Sequence, residues 1–207
     1  MKKLLCVLIV IVASSCISNA PTKKQSDNDS AIVLLKTVYE NVKEKPIDSL
    51  KVNSLPEFFK KNKDEFSSDG LTWYKHINSP KYHSSRSGIY CYFGIRNNKP
   101  MYLRLVVQYC SEDWLFFKKI RFSIDDMAFE YIPDEVEHDN NSTIWEWCDN
   151  ALIRDNDKLL IRTLSNAKDA KMKFIGSKYY DIKIISKADI TAIRQTIEMY
   201  EALGGNF

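Results

Sequence analysis

Glycine and proline are both scarce in this chain, six of each among 207 residues, and only three histidines are present. These shortages exclude several chemistries. No GxGxxG or GxxxxGK run exists to cradle a phosphate, and no GxSxG forms a nucleophile elbow. None of His76, His83 and His138 stands in the HExxH layout of helical zinc proteases. Charge of one sign is also lacking. The formal net charge is only +3, so bulk attraction to nucleic acid or anionic lipid is not expected. Lysines and arginines near aromatics (Lys118, Lys119 and Arg121; Lys171, Lys173 and Lys178) read as solvated sheet faces, and no nucleic-acid partner is expected. The apolar run at residues 4–13 is ten residues long, whereas about 20 are needed to cross the hydrocarbon core.

Cysteine is limited too. Beyond Cys16 the chain holds Cys91, Cys110 and Cys148, a number that cannot pair completely within one chain. Each sits among apolar or aromatic neighbours, so buried thiols acting as small hydrophobes are the plain reading, with one disulfide plus a free thiol as the alternative. Their spacing does not suit a zinc site. Aromatics are abundant, with eleven Tyr, ten Phe and four Trp, which is the composition of a folded body with a real core.

The N-terminus has a tripartite layout. Lys2 and Lys3 precede the apolar run at 4–13, and Ala13-Ser14-Ser15 offers small residues ahead of Cys16. This is the organisation of a secretory signal peptide. Ala13-Ser14-Ser15-Cys16 resembles the lipobox of bacterial lipoproteins. It departs from the commoner pattern in having Ala rather than Leu first and Ser third. The resemblance implies a leader at residues 1–15 and lipid attachment at Cys16. It also implies a cell-envelope location, the outer membrane before the inner. One acyl chain binds a membrane only marginally, and a lipoprotein Cys carries more than one, so a stable tether is expected. Residues 16–29 are rich in Ser, Asn, Asp, Lys and Pro and read as a flexible leash. Without residues 1–15 the formal charge loses Lys2 and Lys3 and becomes +1.

The body reads as α+β. Residues 30–68 form an expected helical N-terminal segment. Its first helix spans 30–44, with apolar residues at Ala31, Leu34, Leu35, Val38, Tyr39 and Val42, and a second covers 56–66 behind Pro56. Residues 69–207 form the α+β domain. Period-2 segments at 71–77, 89–95, 101–109, 114–124 and 127–132, joined by short turns, describe an antiparallel meander. Folding about Asp125-Asp126 sets Arg121 against Glu130 and Phe122 against Phe129. A polar loop at 133–143 leads to a strand at 144–148. A helix at 155–166 follows, with Leu159, Leu160 and Leu164 on its apolar side. A hairpin then turns about Gly176-Ser177, and a last helix opens on Ser186 with Asp189 three residues on. The expected architecture is a mostly antiparallel sheet, meander plus C-terminal hairpin, with N-terminal and C-terminal helices packed on it. The run from Tyr102 through Trp114-Leu115-Phe116 to Lys173-Phe174, Tyr179-Tyr180 and the closing helix resembles modules of uncharacterised bacterial lipoproteins. That resemblance carries no site residues.

No constellation names a catalytic centre, a metal site or a cofactor, and none of these is expected. His76 and His83 flank a polar segment, which by itself fixes no geometry. The acidic stretch 134–139 offers oxygens for a cation but lacks EF-hand spacing. The segment Trp145-Glu146-Trp147-Cys148-Asp149 is the best binding candidate. As a strand it sets Trp145, Trp147 and Asp149 on one face, and Glu146 and Cys148 on the other. Tryptophans beside carboxylates make a stacking platform for a sugar or similar ligand, although strand tryptophans more often cover a core. The expected function is therefore a membrane-anchored, non-catalytic binding or interaction module with an envelope protein or glycan partner. The alternative is an envelope hydrolase acting on glycan or peptide through Glu146 and Asp149 near Trp145 and Trp147, which needs two convergent carboxyl groups.

Overall fold

A computed structural model describes residues 45–207. The expected leader, Cys16, the leash and the helix at 30–44 lie outside the described residues. The body is α+β, with two antiparallel sheets and three α-helices among the described residues. Six strands form the larger sheet: β1 (Phe59–Lys63), β2 (Thr72–His76), β3 (Gly88–Arg96), β4 (Lys99–Ser111), β7 (Glu137–Asn140) and β8 (Ile144–Ala151), in the order β1-β2-β3-β4-β8-β7. The smaller holds β5 (Lys119–Ile124), β6 (Met127–Tyr131), β9 (Ala170–Ile175) and β10 (Tyr180–Ile184), in the order β10-β9-β5-β6. The helices are α1 (Ser49–Ser54), α2 (Asp155–Ser165) and α3 (Lys187–Ala202).

Alternation decides what each sheet buries. In β3 and β4 the inner rows are Ile89, Cys91 and Phe93 with Leu103, Leu105, Val107 and Tyr109, all essentially buried. In the smaller sheet Ile120, Phe122 and Ile124 lie beside Met172 and Phe174. The two sets meet across the core, where the rings of Tyr109 and Phe174 are 5.2 Å apart. Helix α3 covers β3 with Ile190, Ile193, Ile197 and Tyr200. A fully buried Ile or Phe is worth roughly 1.5–3 kcal/mol, and an exposed ion pair such as Lys187–Asp169 about 0–1. The facing rows therefore hold the body together.

Several expectations are met closely. Arg121 pairs with Glu130 and Phe122 with Phe129, and the first pair carries a 2.9 Å ion pair. Asn97 and Asn98 both adopt positive φ between Arg96 and Lys99, a two-residue hairpin turn that Asn tolerates. Ser186 caps α3 by accepting from the Asp189 N–H at 3.1 Å, and Gly204 follows the helix at φ +91°.

Others need correction. The helix expected over 56–66 is a single 3-10 turn, Pro56–Phe58, followed by β1. Pairing with β2, and the packing of Phe59 against His76 and Phe93, outweigh the helical pattern of the lysines. The strand expected from 114 begins only at Lys119, because residues 114–118 bend, with Phe116 at φ +51°. The polar stretch at 133–143 contains β7, an exposed edge strand with no hydrophobic alternation to betray it. Helix α2 buries Leu160, Ile161 and Leu164, while Leu159 points outward. The last hairpin turns through four residues, closed by Gly176 N–H to Tyr179 O, not through Gly176-Ser177 alone. The single meander is two sheets: the chain leaves the first after β4 and returns at β7.

Candidate functional site

The outer face of the larger sheet carries a second row of side chains. Register places Asn62 beside Trp73, Lys75 beside Tyr92 and Arg104, and Tyr90 beside Val106 and Asp149. On β3 and β4 this second row is covered as well, since Tyr90 and Val106 are 3 and 1 % exposed. Here the cover is the β2–β3 connection, residues 77–87. Gln108, fully buried on β4, donates to the carbonyls of Arg86 at 2.5 Å and His83 at 3.2 Å. Ser87 Oγ accepts from the Cys110 N–H at 2.9 Å and donates to Cys110 O at 3.2 Å. Arg86 grips Asp189 of α3 through both guanidinium nitrogens, at 2.6 and 3.2 Å. The loop is thereby pinned from below and from the side.

Between this loop and the sheet lies a cavity of about 400 Å³, lined by Asn62, Trp73, Lys75, His83, Tyr90, Tyr92 and Asp149. Gly94 makes room for one wall: a Cβ there would come within 3.1 Å of the Trp73 ring and of Leu71. The Trp73 ring sits 5.3 Å from that of Tyr92. His83 is set against Trp147, with centroids 4.5 Å apart.

Asp149 and Lys75 are held by hydrogen bonds to their neighbours. Asp149 accepts from Arg104 Nε at 2.8 Å and from the Tyr92 hydroxyl at 2.5 Å, and Arg104 Nη2 donates to the Asp149 carbonyl. Lys75 Nζ donates to the Tyr90 hydroxyl at 3.2 Å and lies 4.3 Å from the centre of that ring. Burial pushes the Lys75 ammonium below its usual range, against the pull of Asp149. Burial and then the Lys75 charge lower His83, opposed by Asp149 and Glu137. Burial first, then Asp149, raises Tyr90, while burial and the hydrogen bond to Asp149 raise Tyr92. The cavity thus presents one amine, a neutral imidazole, two un-ionised phenols, an amide and a braced carboxylate among aromatic faces. It can donate to and accept from a polar ligand while stacking on its apolar side.

The strand parity expected for β8 holds. Trp145, Trp147 and Asp149 are half-buried on one face, with Glu146 and Cys148 buried on the other. Asp149 lines the cavity and Trp147 backs His83, but Trp145 lies one row further along and is not part of the lining. Glu146 does not belong to the site. It is 0 % exposed, and its carboxylate accepts the N–H groups of Leu115, Phe116 and Phe117 at 2.7–2.8 Å. Glu146 and Asp149 therefore do not converge, and the two-carboxylate pair of the hydrolase expectation is not formed by them. His76 and His83 do not form a pair either: His76 is buried, bonded to Gln195 at 2.7 Å and flanked by Phe58 and Phe59.

Cys91, Cys110 and Cys148 are all free, and burial raises each thiol, Cys148 to about 12. None is an activated nucleophile. Asp134 of the acidic stretch is engaged by Asn150 and Arg154, and no group of metal-ligating side chains occurs among the described residues. A second hollow, about 500 Å³, is lined by the short polar residues Ser123, Asp125, Asp126, Lys168 and Asp169 with Ala170 and Lys171. It offers no aromatic wall, and Asp125 already accepts the N–H groups of Lys168 and Asp169.

Asn62, Trp73, Lys75, Tyr90, Tyr92 and Arg104 were not singled out from sequence. The available signal was the polar and aromatic set opposite the apolar rows of β3 and β4. No family model matches the chain, and no curated protein or solved structure matches it significantly.

Proposed function

We propose that this chain is an exported, lipid-tethered binding module of a bacterial cell envelope. In this reading Cys16 carries the lipid, the outer membrane is the site of attachment, and the cavity beside Asp149 receives a ring of a glycan. The tether rests on the run from Lys2 through Ala13-Ser14-Ser15-Cys16. One observation supports the ligand class: a cavity of ligand size whose walls alternate aromatic faces with fixed hydrogen-bonding groups. A sugar ring has the matching character, with C–H groups to lay on Trp73 or Tyr92 and hydroxyls for Lys75, Asn62, His83 and Asp149. The braced Asp149 costs a ligand little ordering entropy.

Two measurements test this. Metabolic labelling with a fatty-acid probe is expected to mark the wild type and not Cys16→Ala; an unlabelled wild type overturns the tether. Titration of the full chain with envelope oligosaccharides, followed by tryptophan fluorescence, is expected to saturate. Trp73→Ala is expected to weaken binding about tenfold, an aromatic contact of roughly 1.4 kcal/mol, while Trp145→Phe changes it little. Absence of saturable binding to any saccharide overturns the ligand class.

A further inference from the structure

The edge strand β10 reads Tyr180-Asp181-Ile182-Lys183-Ile184 and carries an apolar stripe on its outer face. Tyr180, Ile182 and Ile184 are 60, 50 and 77 % exposed. β10 pairs with β9 on one side, and among the described residues it has no strand on the other. The ladder shows which backbone groups face outward. Gly176 N–H donates to Tyr179 O, and Ile185 N–H donates to Ala170 O. Hydrogen-bonded pairs recur every second residue in an antiparallel ladder, so Asp181 and Lys183 also spend their backbone groups on β9. The N–H and C=O groups of Tyr180, Ile182 and Ile184 therefore point along the open edge.

We propose that β10 is the docking edge for a second copy of this chain, the two β10 strands pairing antiparallel about a two-fold axis at Ile182. The strand is self-complementary in that register. Ile182 meets Ile182 of the second copy, and Tyr180 meets Ile184, all at hydrogen-bonding positions that the edge leaves open. The intervening, closer-spaced positions set Asp181 against Lys183 of the second copy, twice, so opposite charges face one another. Within one chain these two side chains already lie 2.8 Å apart, so both are oriented along this strand. A register shifted by two residues would lose the Ile182 self-pair and both charge pairs, and would set Lys183 against Lys183 or Asp181 against Asp181 of the second copy. Such an isologous contact closes at two copies and joins two four-stranded sheets into one of eight. It also removes the exposed edge that would otherwise pair indiscriminately.

The test uses the full chain. Sedimentation in mild detergent is expected to give a dimer for the wild type. Asp181→Lys alone, or Lys183→Asp alone, places like charges opposite each other and is expected to weaken association at least tenfold. The double exchange Asp181→Lys with Lys183→Asp restores the pattern and the dimer. Ile182→Cys is expected to cross-link between copies on oxidation in cells, since facing Cα atoms of hydrogen-bonded pairs lie about 5.5 Å apart. Met127→Cys, half-exposed on the far edge strand β6, is the control. A monomeric wild type overturns the proposal, as does a cross-linking yield no higher for Ile182→Cys than for Met127→Cys. Single charge variants that associate like the wild type also overturn it.

Discussion

Replacing Glu146 by Ala should unfold this protein far more readily than an exposed carboxylate change would. The reason lies in the bend at residues 114–118. There the backbone turns through Phe116 at φ +51°, and no strand partner receives the N–H groups of Leu115, Phe116 and Phe117. Glu146 accepts all three. Phe116 is half-exposed, so water can satisfy its N–H once the carboxylate is gone, but Leu115 and Phe117 are 8 and 2 % exposed. Each buried donor left without a partner costs about 1–3 kcal/mol. Two such donors predict a loss of about 4 kcal/mol, a large share of the roughly 5–15 kcal/mol that holds a domain of this kind together. With a urea m-value of about 2 kcal/mol/M, the midpoint should fall by about 2 M at unchanged slope. Glu146→Gln keeps one acceptor oxygen but turns an amide donor toward one N–H, so roughly half the loss is expected. The exposed Glu137→Gln should stay within about 0.5 kcal/mol. A Glu146→Ala midpoint within about 0.5 M of wild type would refute the assignment of this residue to the bend.

Three further outcomes follow from the same packing. Gly176→Ala should cost at least about 2 kcal/mol in thermal or urea unfolding, because the new Cβ would lie 2.1 Å from the Leu115 carbonyl oxygen, a backbone atom that cannot swing aside. Lowered folded-state values at His83 and His76 mean that the unfolded chain binds more protons just below the ordinary histidine value of about 6.5. Stability should therefore be fully present above that pH and decline as pH falls through it. His83→Phe should make the decline shallower, and an unchanged pH profile would refute the lowered folded-state value of the half-buried His83. Arg86→Ala should free the loop from Asp189 and speed alkylation of Cys110, whose Sγ lies 2.9 Å from the His83 carbonyl. Mass spectrometry should show Cys91 and Cys148 still protected.

Local signals carried much of the fold. The β5–β6 register could be read because a two-residue turn and two complementary pairs agreed with one another. The start of helix α3 could be read because Ser186 and Asp189 three residues on make a cap from neighbouring residues alone. Failures came where distant partners decide. Phe59 and the lysines after it look helical alone, yet β2 claims them. β7 has no apolar side chain, and only β8 makes it a strand. Leu159 and Ile161 exchange roles because an amphipathic pattern with adjacent leucines leaves the helix's rotation to whatever it packs against.

For the site, the same division explains why one strand was read correctly and its meaning was not. The parity of β8 is a property of the strand, so Trp147 and Asp149 were placed on the same face as Trp145, with Glu146 opposite. What stands opposite each face is a property of register between segments far apart. Asp149 acquires Tyr92 and Arg104, 57 and 45 residues earlier in the chain, whereas Glu146 acquires a bend some 30 residues away. Two carboxylates three residues apart thus end in unrelated roles. One braces a cavity that opens between the sheet and the 77–87 loop, and the other replaces a missing ladder. A carboxylate beside tryptophans is ambiguous until its neighbours across the sheet are known. Those neighbours make Asp149, not Glu146, the residue through which a ligand would be felt.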